Sequence, residues 1–418
     1  MPDRNLTARA ITAKEMDQHF NLLCQSFQLD SDLAYPIYKQ DPFFALDHKR
    51  ALFDGAEMTA VLTLVPAALT IHSSSTLPVA GIAGVGVPPW LRGRGYATEL
   101  IRQTVRTAYG EFGYALAALE SDQPAFYRRL GFEPCSTVVA WSAAPGALPE
   151  SPLAASVTIL QPDVLALESL RIHALYHEAA ASQSGVFQRD ERRWEVIDTL
   201  ATGRTVAVWR DADGGLAAYV AFVKNNGDAE AGWTITEMAA KDDVGRRALV
   251  GFLARQTAVR RISGRMSRSA FVEFGLDRIA GVTHENQDGV MLRILNLQAV
   301  LESLARSAEF AGRLATAEAG FTICVDNEDF PAAPVRLRLF TVADERGANR
   351  AVITPADELD GDCLAGDIGA LTQLVLGYAP ASLLKTAGRV RATTARAIDI
   401  AEQLFPPADI FLATPDRF

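Results

Sequence analysis

The chain has 418 residues, enough for two to three domains rather than a single core. Hydrophobic residues make up 49% and charged residues 22%, the balance of a globular protein rather than a disordered or fibrous one. The formal net charge of −10 argues against nucleic-acid and anionic-membrane partners and suits a cationic or amine substrate.

From the N-terminus, residues 14–27 carry Met16, Phe20, Leu23 and Phe27 at helical spacing, which predicts a helix. Residues 58–71 and 78–87 read as strands; the second is so rich in glycine that a bulge or a close approach by a ligand is expected. Residues 93–112 place Ala97, Leu100, Ile101, Val105 and Ala108 on one helical face, and 114–119 read as a short buried strand. The Pro-, Gly- and Ala-rich stretch 143–152 reads as a linker or long surface turn and closes a first domain, 1–150.

A second domain, 151–305, repeats the alternation. A strand at 157–160 precedes a helix at 162–182 and a short helix around Trp194; strands follow at 204–210, 216–224 and 231–239, then a helix at 242–257. The order suggests a duplicated fold without a residue-level repeat. A third domain, 306–418, opens on 308–326 and 335–342, both strand-like in part. Two helices over 367–390, split at Tyr378-Ala379-Pro380, and a helix at 394–403 complete it.

Cys24, Cys135, Cys324 and Cys363 form no CxxC pair and read as small buried apolar residues, not as a zinc site or disulfide framework. His173 and His177 are four apart on a predicted helix with no third ligand near, so packing is expected and no metal. The N-terminal stretch has no apolar signal region and no apolar run reaches the ~20 residues that span a bilayer, so a cytoplasmic location is expected.

Chemistry concentrates in Gly84–Ala97, where a strand runs into a turn that opens an amphipathic helix. Such a helix start presents unpaired N–H groups and the positive end of a dipole, which suits phosphate oxygens. Gly93 and Gly95 allow close backbone approach, and Arg92 and Arg94 add cationic donors. Val85, Gly86 and Val87 offer backbone groups to an extended amide-bearing arm; Tyr96, Ala97 and Thr98 complete the helix start. Downstream, Asp122 and Gln123 precede Phe126 and Tyr127, whose phenol, with an ordinary pKa of ~10, is protonated at neutral pH and can act as a general acid.

Arg92, Gly95 and Ala97 match the R/Q-x-x-G-x-G/A signature of the GNAT N-acetyltransferases, and Phe126-Tyr127 with Gly131-Phe132 resemble the segment that follows it in those enzymes. The likeness extends to 117–132, 288–305, 367–390 and the final phenylalanine, and so resembles the Eis (enhanced intracellular survival) acetyltransferases. The resemblance implies an α+β chain of two tandem GNAT-like domains followed by a sterol-carrier-protein-like α/β domain. It implies acetyl-CoA as co-substrate, with Val85–Val87, Arg92–Thr98, Asp122 and Gln123 at the cofactor. It also implies Tyr127 as the acid, facing the cofactor sulfur, and the α-carboxylate of Phe418 as the base.

The same resemblance implies multi-amine acceptors (aminoglycosides, polyamines, protein lysines) and a homohexamer built as a dimer of trimers. Asp30, Asp32 and Asp416 are candidates to line the acceptor cleft, with Arg417 an unfavourable cation beside the base. The second GNAT-like domain should be inactive: Lys241–Arg246 lacks the signature and carries Asp242 and Asp243 where phosphate would sit. Two other readings compete: a non-catalytic acyl-CoA sensor or lipid-binding protein on the same fold, and transfer of a longer acyl group through space left by Gly84 and Gly86.

Overall fold

A computed structural model describes residues 5–418 apart from 73–74, 182, 184, 200–202, 226–231, 318–319, 327–334, 344–346 and 358–360. The ends of two predicted elements, residues 182 and 231, and two residues of the stretch 308–326 lie outside the described residues. The first segment contains β1 (Leu6–Ala10), α1 (Met16–Phe27), α2 (Ser31–Gln40), β2 (Lys49–Asp54), β3 (Glu57–Ile71), β4 (Ser75–Gly86), α3 (Tyr96–Gly110), β5 (Leu116–Leu119), α4 (Pro124–Arg128) and β6 (Glu133–Pro134).

The middle of the chain runs β7 (Thr137–Ala143), β8 (Thr158–Ile159), α5 (Pro162–Ala180), β9 (Val186–Phe187), α6 (Glu191–Thr199), β10 (Arg204–Arg210), β11 (Leu216–Asn225), β12 (Gly232–Ala240), α7 (Asp243–Ala254), β13 (Arg261–Ser267), α8 (Arg268–Glu273) and β14 (Val282–Asp288). The last part holds β15 (Met291–Ile294), α9 (Leu297–Ala305), α10 (Ala308–Ala315), β16 (Phe321–Val325), β17 (Arg336–Ala343), β18 (Asn349–Pro355), β19 (Cys363–Gly366), α11 (Ile368–Val375), α12 (Ala381–Thr386), β20 (Val390–Ala392) and α13 (Ala395–Leu404).

These elements form two compact units. One comprises the chain up to Cys135, Val290–Ala408 and Phe418; the other comprises Ser136–Gly289 and Asp409–Arg417. In the first, strands lie in the order β1-β2-β3-β4-β5-β15-β6, in which β4 and β5 run parallel and the other neighbours antiparallel. The parallel pair exists because α3 carries the chain from the end of β4 back to the start of β5. Its apolar stripe buries Leu100, Ile101, Val105 and Ala108. Burial of a Leu, Ile or Val side chain contributes about 1.5–3 kcal/mol, so this face holds the crossover to the sheet.

The same unit holds a second sheet, β18-β17-β16-β19-β20, with β16 and β19 parallel. Its α11 packs on β15: Thr372 accepts from the Ile294 amide at 3.0 Å, and the Gln373 amide donates to the Pro134 carbonyl at 2.9 Å. Arg389 bridges Glu133 and Asp367, each at 2.9 Å. All four cysteines are buried free thiols; Cys324 and Cys363, distant in sequence, lie with sulfurs 3.7 Å apart on neighbouring strands.

The other unit repeats the first sheet's plan. Its order is β14-β7-β13-β12-β11-β10-β8, with β12 and β13 parallel around α7. The strand beside β13 is β7, which follows directly on β6; the strand beside β5 is β15, which follows directly on β14. The two sheets therefore exchange one strand each, and the chain crosses between units at Cys135/Ser136 and Gly289/Val290. The stretch 143–152 joins no units: Pro145 and Leu148 are buried within the second. Of the stretch 308–326, read as strand-like in part, Phe321–Val325 is a strand, and Ala308–Ala315 is a helix capped by Ser307.

Among the described residues no helix is long and apolar enough to cross a membrane. His173 stacks on Trp194 at 3.9 Å and meets Asp198 at 3.0 Å, and the Trp194 indole donates to His177.

Candidate active site

The site begins as a defect in β4. Val61 pairs with Gly86 and Thr63 with Ala83, so β4 carries one more residue than β3 over this interval, a bulge around Gly84 with φ +58°. On its other side β4 pairs with β5 only from Val79↔Leu116 to Gly81↔Ala118. Beyond Gly81 the two strands part. From Ile82 to Gly86, β4 pairs with β3 alone among the described residues, so its second edge is a row of backbone donors and acceptors open to an extended amide-bearing molecule. Val85, Gly86 and Val87 lie at this opening.

α1 covers the bulge. A Cβ at Gly84 would meet Leu23 Cδ1 at 3.0 Å, and one at Gly86 would meet Ser26 Oγ at 2.9 Å. The space that these glycines were expected to leave for a longer acyl chain is filled by α1.

The chain then turns through Pro89–Leu91, with Leu91 buried, into α3. Gly93 and Gly95 have φ +76° and +84°, and Gly95 caps the helix from the left-handed region. A Cβ at either would meet nothing within 4 Å, so backbone conformation, not crowding, calls for glycine there. The Arg92 guanidinium donates to the Val87 carbonyl (3.0 Å) and the Ser26 carbonyl (2.9 Å). It therefore ties the turn to the end of β4 and to α1. Exposed Arg94 reaches the Trp90 carbonyl at 3.4 Å. The Tyr96 ring is buried and its hydroxyl donates to Asp54 at 2.9 Å, while Ala97 and Thr98 are half-buried.

Tyr127 sits on α4, the short helix after β5, edge-on to Phe126 and Phe132. Burial, reinforced by the negative charge of Asp122, holds its phenol above the ordinary tyrosine pKa, and a hydrogen bond with Ser121 opposes this. Asp122 and Gln123 are exposed beside it, the Gln123 amide donating to Ser121 at 2.9 Å. Phe418 lies on Gly81: its Cδ2 and Cε2 are each 3.0 Å from where a Cβ of residue 81 would stand. Gly81 is the last β4 residue paired with β5, so the final residue docks at the apex of the parting strands. The structure thus gathers Val85–Val87, Arg92–Thr98 and Phe418 around one strand and its following turn.

Residues 7–135 and 185–294 each match an acetyltransferase (GNAT) domain family, and residues 299–413 match a sterol carrier protein domain family. The chain is an N-acetyltransferase of the GNAT type. An uncharacterized N-acetyltransferase of Streptomyces avermitilis is 26% identical over 383 residues, 84% of each chain. A GCN5-related N-acetyltransferase from Anabaena variabilis shares the fold with a TM-score of 0.77 at 18% identity, over 97% of this chain and 98% of that one. Eis1 from Mycobacterium abscessus does so with a TM-score of 0.72 at 18% identity, over 99% and 100%. The fold is α+β, two GNAT domains followed by the sterol-carrier-like one. Proteins of the GNAT fold use acetyl-CoA as co-substrate, and the sensor or lipid-carrier alternative is not favoured.

In the second GNAT domain β12 and β13 part in the same way, but the helix that follows starts differently. At the start of α7, Asp242 caps the helix and accepts from the Gly245 amide at 2.8 Å. A carboxylate of the chain thus satisfies an amide of the kind left uncapped by any side chain at the start of α3. Of the candidate cleft carboxylates, Asp30 caps α2, Asp32 is exposed in its first turn, and Asp416 is buried against Arg189. Sequence reasoning missed Ser26, Gly81 and Ser121. The glycine-rich pattern of β4 contained Gly81, but nothing local distinguished it from Gly84 and Gly86.

Proposed function

We propose that the chain transfers the acetyl group of acetyl-CoA to a primary amine of a multi-amine acceptor, such as an aminoglycoside-like molecule, a polyamine or a protein lysine. The observation that carries this reading is the open edge of β4 beyond Gly81, leading into a helix start that no side chain caps. Those residues fit the coenzyme: Ile82–Val87 match an extended arm by backbone hydrogen bonding, and Gly93–Thr98 present amides and a helix dipole to a diphosphate.

Acetyl-CoA supplies the acetyl thioester. The chain's own residues handle the protons. An amine attacks only after losing the proton of its ammonium form, and the α-carboxylate of Phe418 takes that proton. The departing thiolate needs one, and Tyr127, held protonated by burial, gives it. The chain's net charge of −10 favours cationic acceptors over anionic ones. Self-association as a hexamer belongs to the same proposal, supported by Leu167 and Leu170, 83% and 77% exposed on α5.

The test is acetyl-CoA turnover against a panel of aminoglycosides, polyamines and lysine peptides. Wild type is compared with Tyr127→Phe and with a chain extended beyond Phe418. The proposal expects turnover by wild type and large losses in both variants; no turnover with any amine would overturn it.

A further inference from the structure

The second GNAT domain has a parted-strand groove of its own. β12 and β13 pair from Gly232↔Arg261 to Ile235↔Gly264 and then part, as β4 and β5 do. The space between them is not empty. Residues Asp409–Arg417 belong to this unit, and Asp409, Phe411, Ala413 and Asp416 line that space. The Phe411 amide donates to the Gly185 carbonyl at 3.0 Å, Val186 and Phe411 form a parallel bridge, and Asp409 accepts from the Ser269 amide at 2.6 Å. Ile410 and Leu412 are buried. A Cβ on Gly185 would lie 2.5 Å from the Ile410 Cα, so the tail rests directly on glycine backbone. What remains of the groove is a cavity of about 110 Å³, lined by Thr236–Ala240, Arg265–Ser267 and the tail itself.

The tail is gripped at its end. Arg189 donates to both oxygens of Asp416, at 2.7 and 2.8 Å, and to both oxygens of Glu237 on β12. Its side chain is fully buried, with the guanidinium 3.8 Å from the Tyr176 ring centroid and 4.6 Å from that of Trp194. Tyr219 donates to Glu237 at 2.6 Å. A bidentate guanidinium in an aromatic box fixes direction as well as distance, which a point charge would not. Asp416 stands two residues before Phe418, within about 7 Å of extended chain.

We propose that the parted-strand groove of the second domain is a socket for the chain's own C-terminal segment, and that Arg189, through Asp416, is a positioning residue for the terminal carboxylate. The positioning half rests on the reading of Phe418 as the base; the socket half does not.

Asp416→Asn tests both, because it keeps shape and leaves Arg189 paired with Glu237. Two quantities are read: the rate at which a carboxypeptidase releases Phe418 from the folded full-length protein, and the steady-state constants. The expected result is release at least tenfold faster than from wild type, with kcat reduced and KM for acetyl-CoA unchanged. Unchanged release would overturn the socket. Faster release with kcat unchanged would leave the socket standing and remove Phe418 as the base. Arg189→Lys, which keeps the charge but loses the bidentate grip, is read the same way should Asp416→Asn fail to fold.

Discussion

The ring of Phe418 occupies the volume that any side chain at residue 81 would need. A Cβ there would lie 3.0 Å from two ring carbons and 2.9 Å from the Val65 carbonyl. Gly81→Ala should therefore both strain β4 and lift the last residue from its seat. Overpacking of this kind costs about 1–3 kcal/mol. The expected outcome is a lower denaturation midpoint and a lower kcat. Phe418→Gly, which removes the ring but not the carboxylate, should recover part of the stability. A double-mutant cycle by chemical denaturation checks this; coupling of about 0.5 kcal/mol or more is expected, and strict additivity would mean the two residues do not meet.

Tyr127→Phe removes the proposed proton donor and little packing. Loss of a general acid typically lowers kcat by about 10²–10⁴. KM for acetyl-CoA should change little. Because burial and Asp122 hold the phenol above its ordinary pKa, the acid form persists past pH ~10, and the wild-type rate should not fall on the alkaline side before then. A rate profile with an alkaline limb near neutrality, or a variant of unchanged kcat, would assign the acid elsewhere.

At Gly95 the demand is conformational. A non-glycine residue held at φ +84° with open space around it suffers about 1–2 kcal/mol of backbone strain and no clash. Gly95→Ala should weaken acetyl-CoA binding by distorting the helix start, and Gly95→Asn, which tolerates that region better, should weaken it less. Calorimetric titration with acetyl-CoA gives the order; equal affinity in all three proteins would show that this turn does not hold the coenzyme.

His19 ties stability to pH. It is fully buried, its Nε2–H donating to the Leu62 carbonyl at 3.3 Å and its Nδ1 accepting from Tyr38 at 3.1 Å. Burial, and the nearby Lys49, push its pKa down to about 4. The unfolded chain takes up this proton near pH 6.5 and the folded chain only near 4. The stability is thus complete above pH 6.5 and is lost as pH falls towards 4, by about 3 kcal/mol in all. Urea titrations at pH 7.5 and 5 should show the fall in wild type and a much shallower one in His19→Gln. Parallel pH dependence in the two would place the effect on other groups.

Much of the fold was legible because its helices are amphipathic and its strands bounded by turn residues. The helix after the cofactor turn, the split at Tyr378-Ala379-Pro380 and the run of strands from 204 to 240 follow from period and punctuation alone. α2 was not legible: Pro36 lies inside it, and Leu33 and Ile37 face solvent, so it shows no buried stripe. The exchange of β7 and β15 was not legible either, since pairing between residues as far apart as Ile262 and Ala143, or Ile294 and Leu116, leaves no local mark. At the site, glycine spacing announced the turn. It could not announce that Arg92 would reach the Ser26 carbonyl of α1, or that Phe418 would rest on Gly81, because both depend on residues brought together only by folding.

A crystal structure of the full chain with acetyl-CoA tests the central claim most directly. The account predicts the diphosphate at the amides of Gly93–Thr98 and the pantetheine arm along Ile82–Val87, with α7 unliganded behind Asp242. Coenzyme at the start of α7, or a bound coenzyme that leaves the open edge of β4 untouched, would contradict it.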